Sequence, residues 1–410
     1  MEIRPILSAL MRSKVALILI GVQIALTLAI VCNALFIINQ RMEKVGRPSG
    51  MDEADTFTVT STGFGADFNV QNAYAEDLSL LRGLPGVHSA TSINTVPLSH
   101  SGWGEAISLT PDQKTATAGS AIYFVDQGGL DTYGLKLIAG RNFKPEEISF
   151  RDRNAVSWPP GLIITKALGE KLFPGQNPLG KQFYLDQKAA PNTVIGVVDR
   201  LQAPWPNSTG RGGDVNAVEY STLIPQRVAY GNSTMYLVRA DPGRRDELMK
   251  TVETKLAESN HSRVVRGIKS MQQVRTAGYR QDRAMMIILG IVIVSLLAIT
   301  ALGIVGMASF WVTQRTKQIG TRRALGASRG DILRYFHTEN FIITTLGLIV
   351  GGVLTYAVSL GLMRYYESPR LPWYYVPIGF VCLWLLGQLA VLGPAARASR
   401  VPPAVATRTV

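Results

Sequence analysis

Four apolar runs constrain this chain more than anything else in it. Val15–Ile38 is 24 residues without a charge and Ala284–Thr313 is 30. Two more cover about 341–363 and 373–392. At 1.5 Å per helical residue, some 20 apolar residues cross a bilayer. In hydrocarbon the backbone must satisfy its own hydrogen bonds, so runs of this length predict transmembrane helices. The first is longer than a signal-peptide core and is not followed by a small-x-small cleavage site, so it reads as an uncleaved span. Four spans put both ends on one side.

Charge then sets the orientation. The 410 residues carry a net +13, but residues 39–283 account for only +3 of it, leaving +10 at the edges of the apolar runs. A nucleic-acid footprint would be a basic stripe on a folded domain, so this distribution argues against nucleic acid and for topology. Residues 315–339 carry six Lys/Arg (315, 317, 322, 323, 329, 334) against Asp331 and Glu339. Such a short basic loop belongs on the cytoplasmic face, where it also meets lipid headgroups. Arg397, Arg400 and Arg408 place the C-terminus there too. The loop also carries fold signals. A helix is expected over 315–325, stopped by Gly326, and Ser328-x-x-Asp331 is a start signal for the next helix. The expectation is a rigid cytoplasmic elbow rather than a linker.

The pattern Gln318-Ile-Gly-Thr-Arg-Arg-Ala-Leu-Gly-Ala-Ser-Arg-Gly-Asp-Ile-Leu333 resembles the signature of the MacB/FtsX-like ABC transporter permeases. The resemblance continues in Leu130–Phe143, Ala167–Lys181, Val194–Val198 and Pro394–Pro403. It implies that the elbow is a coupling helix docking on an ATPase, with Gln318, Gly320, Arg322, Arg323, Ala324, Leu325, Gly326, Ala327 and Arg329 as the docking set. Gly320 and Gly326 would serve the backbone. The family usually has Glu-Ile-Gly where this chain has Gln318-Ile-Gly, so a salt bridge from that Glu is not carried over.

The resulting expectation is a membrane α-helical protein of four spans with a large α+β extracytoplasmic domain inserted between the first and second. Residues 1–14 read as an amphipathic helix on the inner leaflet, with Ile3, Ile6, Leu7 and Leu10 at helical spacing. Residues 15–38 are the first span, 39–268 a MacB-like periplasmic core domain of one or two subdomains, and 269–313 a stalk helix and second span. Residues 314–340 form the elbow, 341–363 the third span, 364–372 a periplasmic loop, 373–392 the fourth span and 393–410 a cytoplasmic tail. Within the large domain, strands are expected at 56–60, 87–93, 121–125, 193–198, 235–239 and 264–268, and helices at 73–84, 165–173 and 241–259. Residues 94–118 and 200–219 read as loop or second subdomain.

Chemistry is sparse. Gly175-Gln-Asn-Pro-Leu-Gly-Lys181 has the front of a phosphate-binding loop, but Gln182 replaces the hydroxyl residue and the order is helix–loop–strand, so a structural turn is the better reading. The histidines (88, 100, 261, 337) show no metal spacing. Cys32 and Cys382 both lie in apolar runs, so no disulfide framework is available to the polar domain. The adjacent Glu146 and Glu147 read as solvated. Gln23, Asn33 and Gln388 read as interhelical hydrogen-bonding residues.

By resemblance, the chain is the non-catalytic permease subunit of an ABC transporter. It would bind no cofactor itself; ATP would be used by a separate cytoplasmic ATPase dimer. The other partners implied are a second permease copy or a homologue, membrane lipid, and a periplasmic adaptor with an outer-membrane duct. The cargo would be a peptide, antibiotic, siderophore or similar periplasmic substrate. The family also holds regulators of cell-wall enzymes and lipoprotein-releasing permeases, and the size of the 39–283 block favours export.

Overall fold

The computed structural model describes residues 14–151, 157–186, 190–208, 214–366 and 369–402. The amphipathic helix expected over 1–14 lies outside the described residues except for Lys14, and Arg408 lies outside them too. The chain divides into two compact units, one of the segments up to Glu43 and from Asp282 onward, the other of Lys44–Gln281.

In chain order, the elements begin with α1 (Lys14–Gly46), a 33-residue helix. The Lys44–Gln281 unit then contains β1 (Thr56–Gly63), α2 (Val70–Gly83), β2 (Val87–Ile93), β3 (Trp103–Ser108), β4 (Ala118–Phe124) and α3 (Gly129–Tyr133). Next come β5 (Leu137–Gly140), β6 (Ser149–Phe150), β7 (Gly161–Thr165), α4 (Lys166–Leu172), β8 (Gln182–Leu185) and β9 (Asn192–Val198). The unit closes with β10 (Ser221–Ile224), β11 (Gln226–Arg227), β12 (Ser233–Ala240), α5 (Arg245–Ser259), β13 (Arg263–Ser270) and α6 (Met271–Gly278). The remaining helices are α7 (Arg280–Gln314), α8 (Thr316–Ala324), α9 (Arg329–Tyr366) and α10 (Tyr375–Ser399).

The α+β unit holds two main sheets. One is antiparallel, in the order β13-β1-β12-β2. Phe57 and Val59 of β1 and Tyr236 and Val238 of β12 face α2 and α5, where Tyr74, Leu78, Leu81, Leu248, Val252 and Leu256 complete a core. Leu237 and Ile93 point the other way into a second core with Tyr123, Tyr133 and Leu223. Both faces of this sheet are therefore covered. The seven-stranded sheet runs β5-β9-β7-β10-β4-β3-β8, and β8 also pairs with β9. That last pairing closes six strands into a ring, with β5 attached outside it along β9.

Local sequence explains most of these boundaries. α2 starts at Val70 because the Asn69 side chain accepts hydrogen bonds from the Gln71 and Asn72 amides. The helix expected from Asp241 starts later, at Arg245, because Gly243 (φ 79°) turns the chain first. The continuous stalk expected over 269–283 is broken. β13 runs on to Ser270, which caps α6 in a reciprocal box with Gln273, and Tyr279 separates α6 from α7. The 94–118 segment, read as loop or second subdomain, contributes β3; Trp103-Gly-Glu-Ala-Ile-Ser108 carries only one β-branched aliphatic residue, so its propensity signal is weak.

Four of the helices are long and apolar enough to cross a membrane: α1, α7, α9 and α10. Their shared core includes Ile24 and Leu28 of α1, Ile304 and Trp311 of α7, Phe336 and Ile343 of α9, and Leu383 and Val391 of α10. The Gly347-x-x-x-Gly351 pair of α9 lies against α1. A methyl group at Gly351 would come 2.9 Å from the Ala25 Cα, and one at Gly347 would come 3.0 Å from the Gly21 carbonyl oxygen. Small residues of this kind let helix backbones close up in lipid. The neutral polar residues bridge helices as expected. Gln23 Nε2 donates to the Ile299 carbonyl at 3.0 Å, Asn33 Nδ2 to that of Thr355 at 3.2 Å, and Gln388 Oε1 lies 2.7 Å from His337 Nδ1.

Candidate coupling site at the basic elbow

The elbow is a short helix, α8, held at both ends between α7 and α9. Chain reversal after α8 needs a left-handed residue, and Gly326 supplies it at φ 98°, with nothing within 4 Å of where a Cβ would stand. The next helix starts as Ser328 and Asp331 dictate. Asp331 Oδ2 accepts from the Ser328 amide at 3.0 Å and Ser328 Oγ accepts from the Asp331 amide at 3.1 Å.

Three contacts fix α8 to the rest of the helical unit. Ile319 is buried in the shared core, and Gly320 beside it is buried as well. Arg323 Nη1 donates to the Ser399 carbonyl oxygen at 2.7 Å, capping the end of α10. Before the helix, Arg315 Nη1 lies 2.8 and 3.0 Å from the two carboxylate oxygens of Glu339, and its guanidinium carbon is 5.7 Å from the Trp311 ring centroid. Glu339 is 1 % exposed, and Arg315 is the arginine that meets its carboxylate directly.

The docking set inferred from sequence therefore separates into two groups. Gln318, Arg322, Ala324, Leu325, Gly326 and Arg329 face outward. Leu325, at 83 % exposed, is the most exposed large hydrophobic residue of the protein among the described residues. Arg322 stands over the Tyr335 ring at 4.8 Å, which orients a guanidinium that remains exposed. Gly320 and Arg323 face inward as supports, and Ala327 is half-buried against the core. An exposed leucine ringed by arginines on a braced helix can seat in an apolar groove with an acidic rim. It offers no bond-making chemistry.

Sequence reading missed the Arg315–Glu339 pair. Glu339 was legible only as a countercharge to the loop. That it faces Arg315 follows from the hairpin of α7 and α9, which brings together two positions 24 residues apart.

Elsewhere the chemistry stays structural. Lys181, at the end of the phosphate-loop-like stretch, bonds to Gln176 and lies 5.1 Å from the Phe173 ring, in a turn between α4 and β8. Glu147 takes two bonds from Arg141, at 2.6 and 2.8 Å. These bonds hold its carboxyl down at about 2 even though burial works against them. Among the described residues no group of three His, Cys, Asp or Glu is placed to hold a metal ion.

Two family models match this chain. One describes a MacB-like periplasmic core domain, over residues 16–255, and the other an FtsX-like permease C-terminal region, over residues 290–403. The chain is 26% identical over 365 residues to a macrolide export ATP-binding/permease protein MacB from Neisseria meningitidis serogroup A, covering 88% of this chain and 52% of that protein. It is 28% identical over 254 residues to the protein of the same name from Rhodospirillum rubrum, covering 60% and 38%. The chain spans about half the length of the curated relatives it matches. Among solved structures, the periplasmic region of MacB from Actinobacillus actinomycetemcomitans aligns at a TM-score of 0.36 with 15% identity, covering 57% of this chain and 97% of that one.

Proposed function

Because the chain belongs to the ABC transporter permeases that join a MacB-like periplasmic core domain to an FtsX-like domain, we propose that it is the membrane subunit through which an ABC ATPase on another polypeptide moves a periplasmic domain. In this reading the Lys44–Gln281 unit is inserted between the first and second spans on the periplasmic side of the inner membrane. Both termini and the elbow are cytoplasmic, where the basic residues favour them. Two permease copies, or this one and a homologue, pair with two ATPase subunits. ATP is bound and hydrolysed by those subunits, and this chain turns their motion into work.

The single observation that carries the reading is the elbow. Leu325 is 83 % exposed at the tip of a helix braced by Ile319, Arg323 and Arg315. A helix end that is both apolar and rigid transmits a push. Were it a mere topology signal, the arginines would need no such bracing. The membrane helices place few ionisable groups toward their middles, which suits a device that moves domains better than a pore for polar solutes. Export of a peptide, antibiotic, siderophore or similar molecule taken up on the periplasmic side is the use we favour, with an adaptor and outer-membrane duct as further partners.

Co-purification with ATPase subunits tests the elbow. Leu325→Glu combined with Arg322→Glu should abolish association, because both side chains are exposed on the docking face and the only contact given up is the stacking of Arg322 on Tyr335. Arg323→Glu is a poorer probe, since it removes the cap on α10. Retained association in the Leu325/Arg322 variant rejects this docking surface, and failure of every candidate ATPase to bind the wild type rejects the transporter reading.

A further inference from the structure

A cavity of about 390 Å³ opens on the α+β unit over strands β3 and β4. Small-molecule sites span roughly 300–1,000 Å³, so this one is large enough for a ligand. Side chains alternate along a strand. Ile107, Ile122 and Phe124 enter a core on one face of the pair, and Gly104, Ala106, Gly119 and Ala121 stand on the other, where they line the cavity. Gly104 lies opposite Ala121, and Ala106 opposite Gly119. The floor is therefore flat, with no side chain larger than a methyl group. Glycine weakens a strand and marks places where something must come close to its backbone. Gly104 has its reason in the fold, because a Cβ there would stand 3.4 Å from the ring of Trp205, another lining residue. Gly119 has none. It is exposed, its φ is outside the left-handed region, and, chain neighbours apart, none of the described residues lies within 4 Å of its Cβ position.

Part of the lining is polar. Lys171 of α4, Asp214 and Tyr220 all border the cavity and meet at one atom. Asp214 Oδ2 accepts from Lys171 Nζ at 2.9 Å and from the Tyr220 hydroxyl at 2.8 Å. Asp214 Oδ1 accepts from the Asn216 amide at 3.1 Å. These bonds, that from Lys171 foremost, hold the Asp214 carboxyl below its ordinary value against its burial, so it stays ionised and committed. Lys171 is less committed. An ammonium has three N–H donors and this one gives one to Asp214, while its side chain is 38 % exposed against 19 % for Asp214. What the polar part has to spare is a charged donor. We propose that the cavity binds a flat, apolar ring system bearing a carboxylate. The ring lies on the floor of β3 and β4 against Trp205, and the carboxylate takes the N–H groups that Lys171 has left. A ring face reaches that floor because Gly119 has no side chain. A ligand bearing an ammonium would meet Lys171 with like charge and find the Asp214 oxygens taken. The assignment does not depend on the transporter reading.

Fluorine NMR of the full chain in lipid nanodiscs, with fluoronaphthoate as the probe, tests this, and empty nanodiscs correct for partition into lipid. The wild type should broaden the probe signal saturably, with one site per chain. Gly119→Val adds a side chain where no neighbour stands in its way and where a strand favours one. It should weaken binding about tenfold without lowering the melting temperature. If that variant melts early, Ala106→Leu makes the same test from the neighbouring strand. The wild type should also prefer fluoronaphthoate to the equally flat cation fluoronaphthylmethylammonium by about fivefold, and Lys171→Gln should erase the preference. No saturable broadening beyond that of empty nanodiscs would overturn the site. Undiminished binding in the floor variants would put the probe elsewhere and overturn it equally. A wild type that holds the cation as tightly as the naphthoate would overturn the assignment of an anionic ligand.

Discussion

Arg315 Nη1 meets both carboxylate oxygens of Glu339, at 2.8 and 3.0 Å, where the second long apolar helix gives way to the elbow and the third passes beside it. Arg315 is 15 % and Glu339 1 % exposed, so removing either partner strands the other. Arg315→Met alone is expected to destabilise the helical unit by about 3–5 kcal/mol, the usual cost of breaking a buried pair. Arg315→Met with Glu339→Leu should recover most of that loss, since no charge is left buried. Thermal unfolding of the two single variants and the double variant in detergent decides it. Additive losses would mean that the two side chains do not act as a pair.

Gly326 makes a separate prediction. At φ 98° an L side chain is strained by backbone geometry alone, because, chain neighbours apart, none of the described residues lies within 4 Å of the Cβ position. Gly326→Ala should therefore cost about 1–2 kcal/mol of local elbow stability. Gly326→Asn should cost less, since Asn tolerates the left-handed region. Hydrogen exchange of the α8 amides reads the difference. Equal exchange in all three proteins would show that the elbow does not depend on this turn.

How much of this could be read beforehand depends on whether the determining interaction is local. Gly326, Ser328 and Asp331 were legible because a left-handed cap and a Ser-x-x-Asp box act within a few residues. The long helices were legible because a bilayer demands length and apolarity. The strands β2 and β9 were found because Val87–Ile93 and Thr193–Val198 are short runs rich in β-branched residues. The β8–β9 closure, the Arg315–Glu339 pair and the Arg323 cap on Ser399 are fixed by tertiary placement, which no window of sequence contains. The docking set shows the same limit. The family resemblance nominated nine residues, but only packing could turn Gly320 and Arg323 inward and leave Leu325 outside.

Close approach of α1 and α9 at Gly351 predicts a graded response to volume. Gly351→Ala places a methyl 2.9 Å from the Ala25 Cα and 3.0 Å from its carbonyl oxygen, so the helices must part. A cost of about 1–3 kcal/mol is expected, as for other overpacked contacts. Gly361→Ala, on the same helix with nothing within 4 Å of its Cβ position, should be neutral or slightly stabilising through helix propensity. Melting temperatures of the two variants separate the readings. Equal effects would mean that α1 and α9 are not in contact at Gly351.

Within the α+β unit, Arg275 of α6 donates from all three nitrogens of its fork. Nε and Nη2 donate to Glu53 at 2.6 and 2.7 Å, Nη1 to the Val45 carbonyl at 2.8 Å and Nη2 to the Arg47 carbonyl at 2.9 Å. It thus ties α6 to the chain around the end of α1. Burial works to raise the Glu53 carboxyl, but hydrogen bonds from Arg275 and Ser49 outweigh it and hold the group below its ordinary value. A carboxyl lowered on folding contributes stability that is fully present above its unfolded value, about 4.3, and is lost as pH falls through the lower folded value. Wild-type protein should accordingly lose stability on acidification below about pH 4. Arg275→Gln should be less stable at neutral pH and show a shallower acid slope, because the Glu53 shift goes with the guanidinium. Arg275→Lys should resemble the Gln variant in lost anchoring, since one ammonium cannot reach Glu53 and two carbonyls in a fixed fork. Urea unfolding from pH 3 to pH 7 measures both terms, and parallel slopes for wild type and Arg275→Gln would sever the link between this arginine and the Glu53 carboxyl.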